Sequence, residues 1–259
     1  MIGIFDSGLG GLTAYKELHA LLPAGDFVYF GDTGRVPYGS RSREILTRYA
    51  RQDIRFLLRQ GADVILAACG TVSSVVLDDI KSDFSIPLFG VVDASVNAAL
   101  AATKNEKIGV IGTGATISSG AFAKKIAAAN RHAAVTSIAC PLFVPLVENG
   151  YIGRGCTVTR EVAADYLAPL RDEGIDTLIL GCTHFPIIAD IIGDLLPGVT
   201  LVNSGAAAAA EVAAVCGKTG GSGSASFFVS DSPVNFDTVA RVFLGGETIR
   251  AQKVDIEAY

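Results

Sequence analysis

Two cysteines stand at matching places in the chain. One follows an apolar run in Val64-Ile65-Leu66-Ala67-Ala68-Cys69-Gly70-Thr71, the other in Thr177-Leu178-Ile179-Leu180-Gly181-Cys182-Thr183. A lone free cysteine usually packs as a small hydrophobe. Packing does not demand that a Cys be followed closely by a Thr twice over, so the pair reads as two reactive thiols. A thiolate takes a proton and a thiol gives one. Such groups act when they lie within hydrogen-bond reach of the proton they move. One on each face of a carbon can remove a proton from one side and return one to the other, which inverts a stereocentre without a cofactor. The flat, carbanion-like intermediate needs donors around its charge. Ser7, Thr71 and Thr183, with backbone N–H groups beside them, are placed to supply these.

An unperturbed thiol is mostly protonated near neutrality. Asp6 beside Cys69, and His184 or Glu148 beside Cys182, can tune or shuttle protons. The ordinary roles of these residues are a helix cap for Asp6, a hydrogen-bonded histidine for His184 and a solvated carboxylate for Glu148. Cys140, Cys156 and Cys216 lack the repeat context and read as structural. The cysteines and His19, His132 and His184 do not cluster at zinc spacing, so no metal is expected. Asp6-Ser7-Gly8-Leu9-Gly10-Gly11 fails the dinucleotide pattern because Thr13 stands where the third glycine belongs, and Gly112–Ile117 fails likewise. Both read as close-approach turns for a small anion. A Cys–His thiol hydrolase is a weaker reading, since no orienting third group stands at an identifiable spacing.

The elements that must position these residues alternate in type. Ile2–Phe5, Phe27–Phe30, Val64–Ala68, Leu88–Val92, Ile108–Ile111, Val135–Ala139, Thr177–Leu180, Thr200–Val202 and Phe227–Val229 read as strands. Helices are expected over Ser40–Gln60, Ala206–Val215 and Pro233–Leu244, and a flexible loop over Gly217–Ser226. Continuous apolar strands between helices predict an α/β fold of two similar doubly wound domains with mostly parallel sheets, facing each other across a cleft. Ligands in such folds bind outside the carboxyl ends of the strands, where both thiols fall. The first domain is expected over 1–95 plus 207–259 and the second over 96–206, with a boundary near Asp93–Ala102 and four strands to each sheet.

Composition sets the outer bounds. Half of the 259 residues are hydrophobic and 18% are charged, which excludes intrinsic disorder. A formal charge of −5 argues against a nucleic-acid partner. No apolar run reaches the ~18 residues of a membrane span. Met1–Asp6 reads as a strand rather than an export signal, and five cysteines make an odd count. A reduced, cytoplasmic protein without disulfides follows as the expectation.

Four motifs in order carry a resemblance: Ile4–Thr13, Tyr29–Ser40, Pro141–Glu148 and Leu180–Pro186. With them the chain resembles the glutamate racemases of the aspartate/glutamate racemase superfamily over nearly its whole length. The resemblance implies cofactor-independent interconversion of L- and D-glutamate for peptidoglycan synthesis, in a cytoplasmic homodimer. It implies Cys69 and Cys182 as the acid/base pair, assisted by Asp6 and His184, with Glu148 nearby. It also implies a substrate pocket from Asp6, Ser7, Pro37, Tyr38, Gly39, Gly70, Thr71, Thr116, Thr183 and His184. The chain departs from the family at Gly70, where asparagine is usual, and less seriously at Gly34 and Asn203. Losing a charge-assisted hydrogen bond costs about 1.5–3 kcal/mol. Gly70 therefore keeps open two alternatives: a racemase of another amino acid such as aspartate, or an impaired amino-acid-binding homologue.

Overall fold

Strands that are apolar on both faces need cover on both sides, and the chain provides it twice. The computed structural model describes residues 1–217, 220–232, 236–246 and 248–259. Its strands are β1 (Ile2–Asp6), β2 (Phe27–Gly31), β3 (Val64–Ala67), β4 (Leu88–Gly90), β5 (Lys107–Gly112), β6 (Ala134–Ala139), β7 (Thr177–Leu180), β8 (Thr200–Asn203), β9 (Ala225–Val229) and β10 (Ala251–Lys253). They form two sheets, ordered β10-β9-β2-β1-β3-β4 and β6-β5-β7-β8, with every pairing parallel. Within each sheet the first four strands of the repeat run in the order second, first, third, fourth. Strand order thus reverses between β1 and β3 in one sheet and between β5 and β7 in the other. Ligands bind at such reversals.

Side-chain alternation splits the first sheet's core in two. Ile4, Tyr29 and Leu66 pack with Leu12 and Leu18 on one face. Phe5, Val28, Phe30 and Ile65 pack on the other with Leu46, Ala50, Ile54 and Leu57 of the helix Arg43–Arg59. Those four helical residues recur at intervals of four, four and three, one apolar stripe of an α-helix. The helix starts three residues later than expected, because Ser42 rather than Ser40 caps it by accepting a hydrogen bond from the Ile45 amide at 3.4 Å.

Three sequence expectations are revised. β4 stops at Gly90 rather than running to Val92, and Val91–Ala102 is a helix that leads from the first sheet toward the second. The first sheet has six described strands rather than four, because β9 pairs with β2 and β10 with β9. The segment read as a flexible loop is anchored where it is described: Asp26 accepts hydrogen bonds from the amides and hydroxyls of Ser222 and Ser224, and Ala225 and Ser226 already belong to β9. Lys218 and Thr219 of that loop, and Pro233–Asn235 of the last expected helix, lie outside the described residues; the helix is observed over Phe236–Leu244. No helix among the described residues is long and apolar enough to cross a membrane.

Candidate functional site

The carboxyl ends of both sheets border one cavity of about 490 Å³. From the first sheet, Asp6, Ser7 and Gly8 follow β1, and Cys69, Gly70 and Thr71 follow β3. The turn Val36–Ser40 adds Pro37, Tyr38 and Gly39. From the second sheet, Thr113 and Gly114 follow β5, Cys140 follows β6, and Gly181, Cys182, Thr183 and His184 follow β7. Glu148 enters from the short helix Phe143–Glu148. The two thiols expected to face a common ligand therefore line one space, each contributed by a different sheet. Both are buried and free.

One expected residue stands a layer back. Thr116 does not line the cavity; it is buried, and its hydroxyl bonds that of Thr113 at 3.0 Å. Thr113, not singled out from sequence, is the residue at the wall, where its hydroxyl also meets Thr71 across the two sheets at 3.0 Å. Cys140 likewise lines the cavity instead of serving only to pack. Their signal was present in hindsight: both immediately follow strands that neighbour β7 or β5 in the second sheet.

Around Cys182 the groups form a chain. His184 Nδ1 lies 3.8 Å from Cys182 Sγ, and His184 Nε2 lies 3.0 Å from Glu148 Oε1. Glu148 is the orienting third group that sequence spacing alone did not reveal. Burial disfavours charge on His184, but hydrogen bonds to Cys182 and Glu148 and the negative charges of Cys182 and Asp6 outweigh it, pushing its pKa up to about 10. An imidazolium thus stands beside one thiol.

Around Cys69 the balance is the reverse. Burial, then the neighbouring carboxylate of Asp6, pushes its pKa up to about 12. Asp6 is itself raised above the usual carboxylate range by burial, against the charge of His184 and the amides of Gly11, Gly8 and Ser7. Its Oδ2 accepts from Gly8 and Gly11 at 3.2 and 3.0 Å, bonds that fold the glycine turn after β1; Gly11, not Asp6, is the N-cap of the helix Leu12–Leu21, so the expected capping role is not the one Asp6 plays. Among the described residues its Oδ1 is buried without a hydrogen-bond partner. A buried oxygen left unpaired is costly, and Asp6 is one of the residues lining the cavity. The two walls differ in the group set beside the sulfur: the Asp6 carboxyl beside Cys69 and the His184 imidazole beside Cys182.

A buried ionic cluster seats the turn that carries Pro37, Tyr38 and Gly39. Arg35 Nε donates to Asp32 Oδ2 at 2.6 Å and its Nη2 to Asp53 Oδ1 at 2.9 Å. The Tyr38 hydroxyl donates to Asp53 at 3.1 Å and also to Asp32. The guanidinium lies 4.0 Å from the centroid of the Tyr49 ring. The departure at Asn203 has a local purpose, since its Oδ1 accepts from the Gly205 and Ala206 amides and caps the helix Ser204–Cys216.

A family model described as Asp/Glu/hydantoin racemase matches residues 17–212. The chain is 42% identical over 264 residues to the glutamate racemase of Geobacter metallireducens, covering 99% of this chain and 97% of that protein. Among solved structures, the glutamate racemase of Francisella tularensis in complex with D-glutamate superposes with a TM-score of 0.91 at 36% identity, over 100% of this chain and 98% of that one. The glutamate racemase of Thermus thermophilus in complex with β-chloro-D-alanine does so with a TM-score of 0.89 at 41% identity, over the same shares.

Proposed function

The chain belongs to the Asp/Glu/hydantoin racemase family, and from that premise we propose that it interconverts L- and D-glutamate by two-base proton transfer between Cys182 and Cys69, with no cofactor. The observation that carries the reading is the placement of two buried thiols, one from each sheet, on one cavity of amino-acid size.

In one direction, Cys182 acts as the thiolate beside the His184 imidazolium. It takes the α-proton and becomes a thiol. The electron pair left on Cα spreads into the substrate carboxylate. Cys69, held as a thiol, donates its proton to the opposite face and becomes a thiolate. The reverse reaction uses the same groups in opposite roles. Between turnovers, His184 on one wall and Asp6 on the other exchange protons with the sulfurs and restore the starting forms. Glu148 orients the imidazole and balances its charge. Hydroxyls of Ser7, Thr71, Thr113 and Thr183 hold the charge that develops on the substrate, where fixed donors in a water-poor cavity act strongly.

The solved relative that holds D-glutamate supports glutamate as substrate. The product is a cell-wall building block, so the reaction belongs in the cytoplasm ahead of peptidoglycan assembly, and the family points to a homodimer. Within one subunit, residues 1–95 with 207–259 and residues 96–206 act as the two units that bring one thiol each.

Circular dichroism of pure L-glutamate with the protein and no added cofactor tests the reading. The signal should decay to zero as the racemate forms. A signal that stays constant at catalytic and at stoichiometric protein refutes it.

A further inference from the structure

Gly70 directly follows Cys69, and the structure shows what lies against it. A Cβ built on residue 70 would sit well inside contact distance of the Gly181 carbonyl oxygen, 3.2 Å from the Gly181 carbonyl carbon and 3.7 Å from Cys182 Cα. The missing side chain has therefore not left room for a bulkier substrate. The main chain of the opposite wall occupies the space.

Neither wall can yield easily. The Gly181 amide donates to Ile111 O at 2.8 Å, and a Cβ on Gly181 would lie 2.7 Å from that same oxygen, so Gly181 is pressed against β5. Between the walls, Thr71 is tied to Thr113 by hydroxyls at 3.0 Å, and the Thr13 hydroxyl is shared between Gly10 O at 2.8 Å and Thr183 O at 3.1 Å. Cys69 precedes Gly70 and Cys182 follows Gly181, so this backbone contact joins the two segments that carry the sulfurs.

We propose that Gly70 is a positioning residue that sets the separation of the two thiols by letting the backbones at residues 70 and 181 touch. The proposal rests on the racemase reading and adds to it a role for the close apposition of the two backbones. Any side chain at 70 must part the backbones by about an ångström to reach ordinary contact. Misplacing reacting groups by that much can cost roughly a hundredfold in rate. An asparagine at this position is thus expected to slow this protein.

The signature is a partition. When the two sulfurs stand too far apart, the first still removes the α-proton, but the second delivers its proton late. The carbanion then recovers a proton from the side that lost it. Solvent deuterium entering unconverted L-glutamate rises relative to D-glutamate formed.

The test measures both rates by proton NMR and circular dichroism in deuterium oxide, with L-glutamate and the Gly70→Ala and Gly70→Asn variants. We expect kcat for inversion to fall by about tenfold or more, KM to change by less than about threefold, and the exchange-to-inversion ratio to rise at least about threefold. The ratio is independent of the fraction of active protein, so partial misfolding does not imitate it. Thr13→Val is the second variant, at a hydroxyl that lies 3.1 Å from Thr183 O and outside the cavity lining. It removes the hydroxyl tie without adding an atom at the contact, should raise the ratio in the same direction by less, and decides alone if the glycine variants do not fold. An unchanged ratio in the folded variants, or a Gly70→Asn protein with higher kcat/KM, overturns the proposal. Wild-type protein that neither exchanges nor inverts glutamate overturns the racemase reading instead.

Discussion

Replacing Arg35 by methionine should unlock the pocket wall and leave a measurable pH signature. The Arg35 side chain is 10% exposed, and Asp32 and Asp53, which it pairs, are fully buried. Methionine keeps the length of the stem but removes the cation, leaving two carboxylates facing the Tyr38 hydroxyl. Breaking a buried pair by deleting one partner costs about 3–5 kcal/mol. For a chain of this size that corresponds to a fall in Tm of roughly 6–20 °C. Asp53 is already held well above the usual carboxylate range by burial and by Asp32, with Arg35 pulling it down. Without Arg35 it rises further. An unfolded aspartate loses its proton near ~3.9, so above that pH the folded variant binds more protons than the unfolded chain. Its stability therefore falls as pH rises through the window up to the raised folded value. The deficit relative to wild type should be larger at a mildly alkaline than at a mildly acidic pH. Urea denaturation at the two pH values, with KM for glutamate measured alongside, reads the effect. A variant as stable as wild type, or a deficit that grows on acidification, refutes the reasoning.

Glu148→Gln removes one of the groups that hold the proton on His184, whose pKa of about 10 exceeds its ordinary value. The imidazolium is then lost at lower pH, so the alkaline limb of kcat/KM should move toward acid. Because Glu148 is about half exposed, solvent screens the pair, and the loss in kcat/KM near neutrality should be only on the order of tenfold. Tyr29→Phe strands the Gly8 carbonyl, which accepts from the buried Tyr29 hydroxyl at 2.9 Å. Denaturation should show a loss of about 1–3 kcal/mol, and KM should rise because Gly8 borders the cavity beside Ser7.

The residues that announce the site in sequence are those fixed by strand ends. Asp6, Cys69 and Cys182 each end or follow an apolar run, and parallel pairing alone suffices to bring such ends to one side of a sheet. The repeat is visible as matched Cys-Thr contexts and observed as the same order of the four core strands in each sheet; that the two sheets share one cavity is seen only in the structure. Contacts between residues distant in sequence left no such trace. Glu148 meets His184 across 36 positions, and Arg35 meets Glu257 across 222. Neither pairing has a local pattern. β10 escaped because Ala251-Gln252-Lys253 has no β-branched residue; its strand conformation comes from pairing with β9 at the sheet edge. Val91 and Val92 misled in the opposite sense, as β-branched residues that are buried in the first turn of a helix. Gly70 was visible as a departure, but its meaning lay in the Gly181 carbonyl, 111 positions away.

The most direct test is L-glutamate in deuterium oxide with wild-type protein and with Cys69→Ala and Cys182→Ala, followed by proton NMR and circular dichroism. Two sulfurs acting from opposite walls predict D-glutamate carrying deuterium at Cα from the wild type, and no inversion by either variant. D-Glutamate that retains its α-protium, or inversion that survives the loss of either sulfur, contradicts the account.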